Sequence, residues 1–243
     1  MDLRKNTIVK GVVKDINDDG QGVIDAGDGV IVFAPFTLPE EQIEGIVINT
    51  KSKFGILKAT KINSLSKDRT TPPCPYFSKC GGCDIQHIKQ DAQLNYKTKK
   101  VKNALKRIAH IDQEVLPCIS NNEYRYRNKI ALPISENGEI GLFRKNTHTV
   151  LPITDCLITE EWNKLLIEAI TQYINESKIS IYSSKAESGL LKFVVARQIE
   201  GSILISLVIN GTNIPKQDIL IKLLDNIFPS FGLNLNINTL NNK

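Results

Sequence analysis

The chain has 243 residues, 41% of them hydrophobic and 23% charged, with a formal net charge of +5. That is enough apolar material for one or two cored domains, and a mild basic excess that permits a polyanionic partner without demanding one. No apolar run approaches the ~18–20 residues of a membrane-crossing helix, and Met1-Asp2-Leu3-Arg4-Lys5 lacks the apolar core of a secretory signal, so a cytoplasmic, monomeric protein with no membrane partner is expected.

Residues 6 to about 62 read as short strands. The run 7–13 is rich in β-branched residues and is bounded by the turn Asn17, Asp18, Asp19, Gly20. Residues 22–26 follow, then the turn Gly27, Asp28, Gly29, then 30–33, which Pro35 stops. Residues 45–48 and 54–57 supply two more strands. Close spacing with glycine turns predicts a small antiparallel β-barrel over residues 1–63. The polar stretch 64–73 ends in two prolines and reads as a linker. The remaining residues, 74–243, read as one α+β domain.

Within that domain a helix is predicted from Gln86 to about His110, with Val101, Ala104, Leu105 and Ile108 on one face and a crowd of lysines that includes Lys97 and Lys100. Residues 124–133 read as a basic strand. Thr159 can cap a second helix, along which Trp162, Leu165, Leu166, Ala169, Ile170 and Tyr173 form an apolar stripe. Strands 190–199 and 202–209 flank the two-residue turn Glu200-Gly201. A third helix over 215–228 and a strand over 232–238 follow.

The five cysteines are expected to be reduced in the cytoplasm, so clustered ones read as metal ligands or catalytic groups. Three of them form Cys74-x5-Cys80-Gly81-Gly82-Cys83, and Cys156 lies far downstream. The two glycines allow positive φ and can aim amides at the sulfurs. Four thiolates suit a structural zinc or a cubane cluster, and soft sulfur ligation does not choose between them. The plain alternative for Cys156 is a buried thiol before the apolar pair Leu157-Ile158, and Cys118, after Pro117, reads as a non-ligand.

Two basic stretches, 97–107 and 125–129, are candidates for RNA contact. Cations reach phosphates, and Tyr124 and Tyr126 can stack on unpaired bases. Strand alternation puts Arg125, Arg127 and Lys129 on one face. For Lys97, Lys100 and their neighbours a solvated helix face explains the charges equally well. His87 and His148 read as structural.

These residues carry a resemblance. Pro73-Cys74-Pro75-Tyr76-Phe77, then Cys80-Gly81-Gly82-Cys83-Asp84-Ile85-Gln86-His87, then Gln93-Leu94 and Lys97, resemble the signature of the bacterial RNA uracil-5-methyltransferases, and most nearly their 23S ribosomal RNA branch. Gly20-Gln21-Gly22-Val23, Val32-Phe33-Ala34-Pro35 and Leu38-Pro39-Glu40 look like a TRAM domain, an RNA-binding barrel, and residues 124–129 resemble the basic strand of the family's central domain. The resemblance implies a 4Fe–4S cluster held by Cys74, Cys80, Cys83 and Cys156, S-adenosylmethionine as methyl donor, and 23S ribosomal RNA as partner.

In that family a cysteine thiolate adds to carbon 6 of uracil, carbon 5 takes the methyl group, and a base removes its proton. A Rossmann-like domain supplies the cysteine and the base. This sequence has no glycine-rich strand-to-helix turn and no cysteine in a nucleophile context, so the methyltransferase domain is expected to be absent, the chain to be a truncated RNA-binding and iron–sulfur piece, and the piece to be inactive alone. Two rivals are a stand-alone zinc-bound RNA-binding module and a radical enzyme. The fourth cysteine ligand argues against the latter.

Overall fold

The computed structural model describes residues 3–51 and 54–239. The chain forms two compact units, one of Met1–Ser78 with Cys83–Asn121, the other of Lys79–Gly82 with Asn122–Lys243. Among the described residues no helix is long and apolar enough to cross a membrane.

The first unit opens with six strands: β1 (Ile8–Val12), β2 (Asp15–Ile16), β3 (Gln21–Asp25), β4 (Ile31–Pro35), β5 (Gln42–Lys51) and β6 (Phe54–Ser64). Their order in the sheet is β1-β5-β6-β4-β3-β2. Because β1 and β2 are successive pieces of one bent strand, pairing of one with β5 and the other with β3 closes the sheet into a barrel. Val9, Val13, Ile24, Val32, Val47 and Leu57 fill its interior. Alternate burial along β3 and β4 follows from the two-residue period of a pleated strand.

The sequence predicts an antiparallel barrel, but one pairing is parallel. β4 and β6 pair in parallel through Ile31–Phe33 and Phe54–Ile56. The chain reverses after β4 and again after β5, so β4 and β6 run the same way, and in the barrel they are neighbours.

The division of the chain also differs from the boundaries at 63 and 74. Residues 64–73 are tied to the barrel by an ion pair that the sequence does not advertise. Glu41 has no exposed side-chain surface, and Arg69 is largely covered. Arg69 Nη2 donates to Glu41 Oε2 and to the Phe36 carbonyl, both at 2.8 Å. The amides of Leu38 and Ser66 donate to the same carboxylate, at 2.9 and 3.3 Å. Helix α1 (Gln90–Arg107) belongs with the barrel as well. Tyr96 donates its hydroxyl to the Asn17 carbonyl, and Lys99 pairs with Asp15 at 3.0 Å. No residue of α1 is buried, so its predicted apolar stripe is present but uncovered, with Val101 and Ile108 exposed.

The second unit holds β7 (Lys129–Pro133), β8 (Gly141–Phe143), β9 (Val150–Pro152), α2 (Trp162–Ser177), β10 (Leu191–Ile199), β11 (Ser202–Ile209), α3 (Gln217–Asp225) and β12 (Phe231–Ile237). Four of its strands form a sheet in the order β12-β11-β10-β7, in which β11 and β12 are parallel. Ile203, Ile205, Leu207 and Ile209 are buried on one face, while Leu204 on the other is exposed. Along α2, Trp162, Leu166, Ala169, Ile170 and Tyr173 are buried as the stripe predicts, but Leu165 falls outside it. The Tyr173 hydroxyl donates to the Pro215 carbonyl at 2.6 Å, fixing the approach to α3. Thr159 does not cap α2, whose flanking residue is Glu161.

Burial alone would raise the Glu41 pKa, but the hydrogen bonds from Arg69 and from the Leu38 and Ser66 amides outweigh it and hold the carboxyl below its usual range. A carboxyl depressed in the folded state contributes stability above its unfolded pKa, about 4.3, and loses it as pH falls through the lower folded value. Arg69→Ala should cost about 3 kcal/mol, because it leaves a buried charge without its partner. Glu41→Gln should show a flatter fall of unfolding free energy with acid than the wild type. Urea melts at a series of pH values check both, and equal acid slopes for wild type and Glu41→Gln would refute the assignment.

Candidate metal and nucleic-acid sites

The cysteine turn lies on the second unit at Lys79–Gly82. The Gly81 amide donates to the Phe143 carbonyl and the Lys145 amide to the Lys79 carbonyl, both at 3.0 Å, so the segment runs as a short extra strand beside β8. A Cβ on Gly81 would meet Lys145 Cα at 3.3 Å and the Phe143 carbonyl oxygen at 3.4 Å. Close backbone approach therefore explains Gly81. Positive φ does not, because neither Gly81 nor Gly82 has it. The Gly82 amide donates to Cys80 Sγ at 3.3 Å.

Cys156 sits in a loop held from both sides. The buried Asn163 accepts from the Cys156 amide at 2.9 Å and donates to Asp155 at 3.0 Å and to the Glu160 carbonyl at 2.8 Å. Arg125 grips Asp155 with two hydrogen bonds of 2.8 and 2.6 Å, and also donates to the carbonyls of Cys156 and Thr159. The Arg125 hydrogen bonds hold the Asp155 carboxyl below its usual range. Arg125 and Asn163 are thus positioning residues for Cys156, and neither role is visible in the sequence.

Cys74 and Cys83 lie in the first unit, Cys80 and Cys156 in the second. All five cysteines are half-buried thiols outside any disulfide. The donor chemistry suits a thiolate-held centre, but among the described residues no three His, Cys, Asp or Glu side chains are gathered into a metal-binding group. Cys118 follows α1, and its amide donates to Thr98 Oγ1 at 2.9 Å. His87 is buried against the rings of Phe36 and Phe77, and His148 packs edge-on to Phe143 at 5.6 Å.

The basic segment 125–129 is not a continuous strand. Arg125 has φ +57°, and β7 begins only at Lys129, so the expected alternation that would align Arg125 with Arg127 and Lys129 is broken. Arg127 and Lys129 are exposed. Lys129 is the register partner of Arg197 on β10, and both lie on the same face of the sheet as Leu204, the face opposite the buried isoleucines. Asn234 and Asn236 of β12 extend that face. A cross-strand partner cannot be read from one sequence, so nothing there marks Arg197. Lys97 is exposed, while Lys100 donates to the Asp18 carbonyl at 2.9 Å.

Asn163→Ala should strip the Cys156 amide of its acceptor and Asp155 of a donor, lowering the stability of the second unit by about 1–3 kcal/mol. Thermal melting of the variant checks this, and an unchanged midpoint would exclude the positioning role.

No protein-family model matches the chain. It is 35% identical over 234 residues to an uncharacterized RNA methyltransferase of Halalkalibacterium halodurans, covering 93% of this chain and 51% of that protein. It is 31% identical over 245 aligned residues to an uncharacterized RNA methyltransferase of Staphylococcus aureus, covering 97% of this chain and 54% of that one. Among solved structures it is similar to the tRNA (uracil-54, C5)-methyltransferase of Pyrococcus abyssi in complex with S-adenosyl-L-homocysteine. The identity is 29% and the TM-score 0.71, over 97% of this chain and 52% of that chain. The chain spans about half the length of the curated relatives it matches.

These likenesses correct the sequence reading. The methyltransferase fold, expected to be absent, is the fold that 97% of this chain shares with a tRNA uracil-5-methyltransferase. A missing glycine-rich turn excludes only one kind of cofactor loop and is no test of a likeness that runs the length of the chain. The reading as a truncated, inactive RNA-binding and iron–sulfur piece falls with it, as does the stand-alone zinc-bound module. The homologues are RNA methyltransferases, and they cover 93–97% of the chain.

Proposed function

We propose that this protein is an S-adenosylmethionine-dependent RNA uracil-5-methyltransferase. The observation that carries this is the likeness, over 97% of the chain, to the uracil-54 enzyme with its S-adenosyl-L-homocysteine. S-Adenosylmethionine, when bound, supplies an electrophilic methyl group. This chain's own residues bind and orient RNA. The barrel acts as an RNA-binding domain of the TRAM kind, and exposed Arg127, Lys129, Arg197 and Lys97 reach phosphates. Arg125 and Lys100 are instead engaged within the chain, by Asp155 and Asp18.

The cysteines are assigned to a 4Fe–4S cluster, with Cys74, Cys80, Cys83 and Cys156 as ligands. Support comes from the Cys-Gly-Gly-Cys turn, the amide on Cys80 Sγ and the braced loop of Cys156. The signature points to 23S ribosomal RNA as substrate. The solved relative favours a second reading, tRNA.

Disruption of the gene, followed by mass-spectrometric mapping of 5-methyluridine, separates these. Loss from one position of 23S ribosomal RNA is expected, loss from tRNA would transfer the substrate, and no loss in either would sink the activity. Purified protein should contain iron and acid-labile sulfide, retained in Cys118→Ala and lost in Cys83→Ala. Zinc in their place would refute the cluster.

For the RNA surface, replacing Arg127, Lys129 and Arg197 together by alanine should weaken binding regardless of sequence. The slope of log affinity against log salt should fall by about 0.7–0.9 for each phosphate that is no longer neutralised. Unchanged affinity and slope, measured by fluorescence anisotropy, would place the RNA elsewhere.

A further inference from the structure

The barrel as an RNA-binding domain leaves open where on it RNA would lie, and one groove stands out. β4 and β6 pair over only three residues, so from Leu57 onward β6 is bonded on its β5 side and leaves its other edge facing a groove of 610 Å³. Phe36, Lys58, Thr60, Lys61, Arg69 and Ser78 are among its lining residues, and no carboxylate is. Arg69 is neutralised by Glu41. Lys58 and Lys61 are exposed, and no described carboxylate pairs with either. Glu44, the register partner of Lys61, is engaged by Lys10 at 3.0 Å.

The two lysines share a face because of a bulge. Simple alternation would put residues three apart on opposite faces. In β6 the register passes from Ala59 opposite Gly45 to Lys61 opposite Glu44, so Thr60 is the extra residue. Lys58 thus pairs with Ile46 and Lys61 with Glu44, two register positions apart on the outward face. That is about 7 Å along the strand, the order of the step between neighbouring phosphates of an extended nucleic-acid strand. Bulges of this kind re-aim side chains next to functional sites.

Two other lining residues are held in costly geometry. Phe36 and Ser78, both lining residues and neither a glycine, have φ of +63° and +68°. Such conformations persist only where surrounding structure enforces them, and they gather at binding sites. Here the Arg69 hydrogen bond to the Phe36 carbonyl enforces one of them. Pro35 and Phe36 add apolar groups to the lining, and the half-buried Phe36 ring is held edge-on against Phe77 at 5.2 Å.

We propose that this groove binds a single-stranded segment of RNA, with Lys58 and Lys61 on two consecutive phosphates and an unpaired base against Pro35 and Phe36. The proposal rests on the RNA-modifying reading above and adds to it a site on the barrel. A duplex keeps its bases stacked inside, whereas a single strand offers both the phosphates and a free base face.

The test uses the whole chain and a fluorescein-labelled oligouridylate of about ten nucleotides, within the usual site size of such barrels. Lys58→Glu/Lys61→Glu should bind at least tenfold more weakly, with a salt slope lower by about 1.4, the single-strand value for two phosphates. Its circular dichroism and melting should match the wild type, because both lysines are on the surface. A 4-thiouridine oligonucleotide should crosslink, in the wild-type protein, to the peptide containing Pro35 and Phe36. Unchanged affinity and slope in the double variant would overturn the site. So would crosslinks only elsewhere, or an equal loss of heparin binding without a crosslink in the groove. If Lys129→Glu/Arg197→Glu loses RNA while Lys58→Glu/Lys61→Glu keeps it, the groove falls and the RNA reading stands. If the wild type binds no RNA, both fall.

Discussion

The first unit depends on one buried carboxylate. Glu41 takes hydrogen bonds from Arg69 and from the amides of Leu38 and Ser66, so a single side chain joins the β4–β5 connection to the chain beyond the barrel. A charge so deeply placed is costly unless its partners are complete. Here they are, and Arg69 spends its remaining reach on the Phe36 carbonyl. That bond holds Phe36 in its left-handed conformation. A polar stretch that would otherwise trail from the barrel becomes its brace.

The second unit solves a similar problem with a different knot. The loop 155–160 has no regular structure of its own, so its carbonyls and amides need partners from elsewhere. Arg125 and Asn163 provide them from before β7 and from the first turn of α2. The positive φ at Arg125 breaks the strand that would carry its side chain outward, and the guanidinium turns to Asp155. The sheet keeps Lys129 and Arg197 side by side on the face opposite its buried isoleucines.

Local features are legible in the sequence. The barrel strands announce themselves by β-branched runs and glycine turns, and α2 by its stripe. The cysteine turn is visible as a spacing, though Gly81 serves close approach to β8 and neither glycine has positive φ. What stays hidden depends on pairs far apart in the chain. Arg69 and Glu41 are 28 residues apart, and Arg125 and Asp155 are 30 apart. The bulge at Thr60 likewise needs the cross-strand register to be placed, although Lys61, three residues after Lys58, departs from plain alternation. Without these long-range partners, a linker at 64–73 and a basic strand at 124–133 are the natural readings. The stripe on α1 shows the converse, a correct periodicity that no described residue buries.

The same distinction sorts the basic residues. A net charge of +5 says little, because it counts cations that are already spent. Arg69, Lys99, Lys100 and Arg125 each face a carboxylate of this chain, and their charge goes to holding loops and a helix in place. Lys58, Lys61, Lys97, Arg127, Lys129 and Arg197 have no described carboxylate in ion-pair range. A cation without an internal partner keeps its full field for an external anion, and releases counterions when it meets one. The lysines of one helix thus divide by role, Lys97 outward and Lys99 and Lys100 inward, although nothing in their spacing separates them. The RNA contacts proposed above fall to this second set, which lies on sheet faces, in a groove and, through Lys97, on the outward side of the helix.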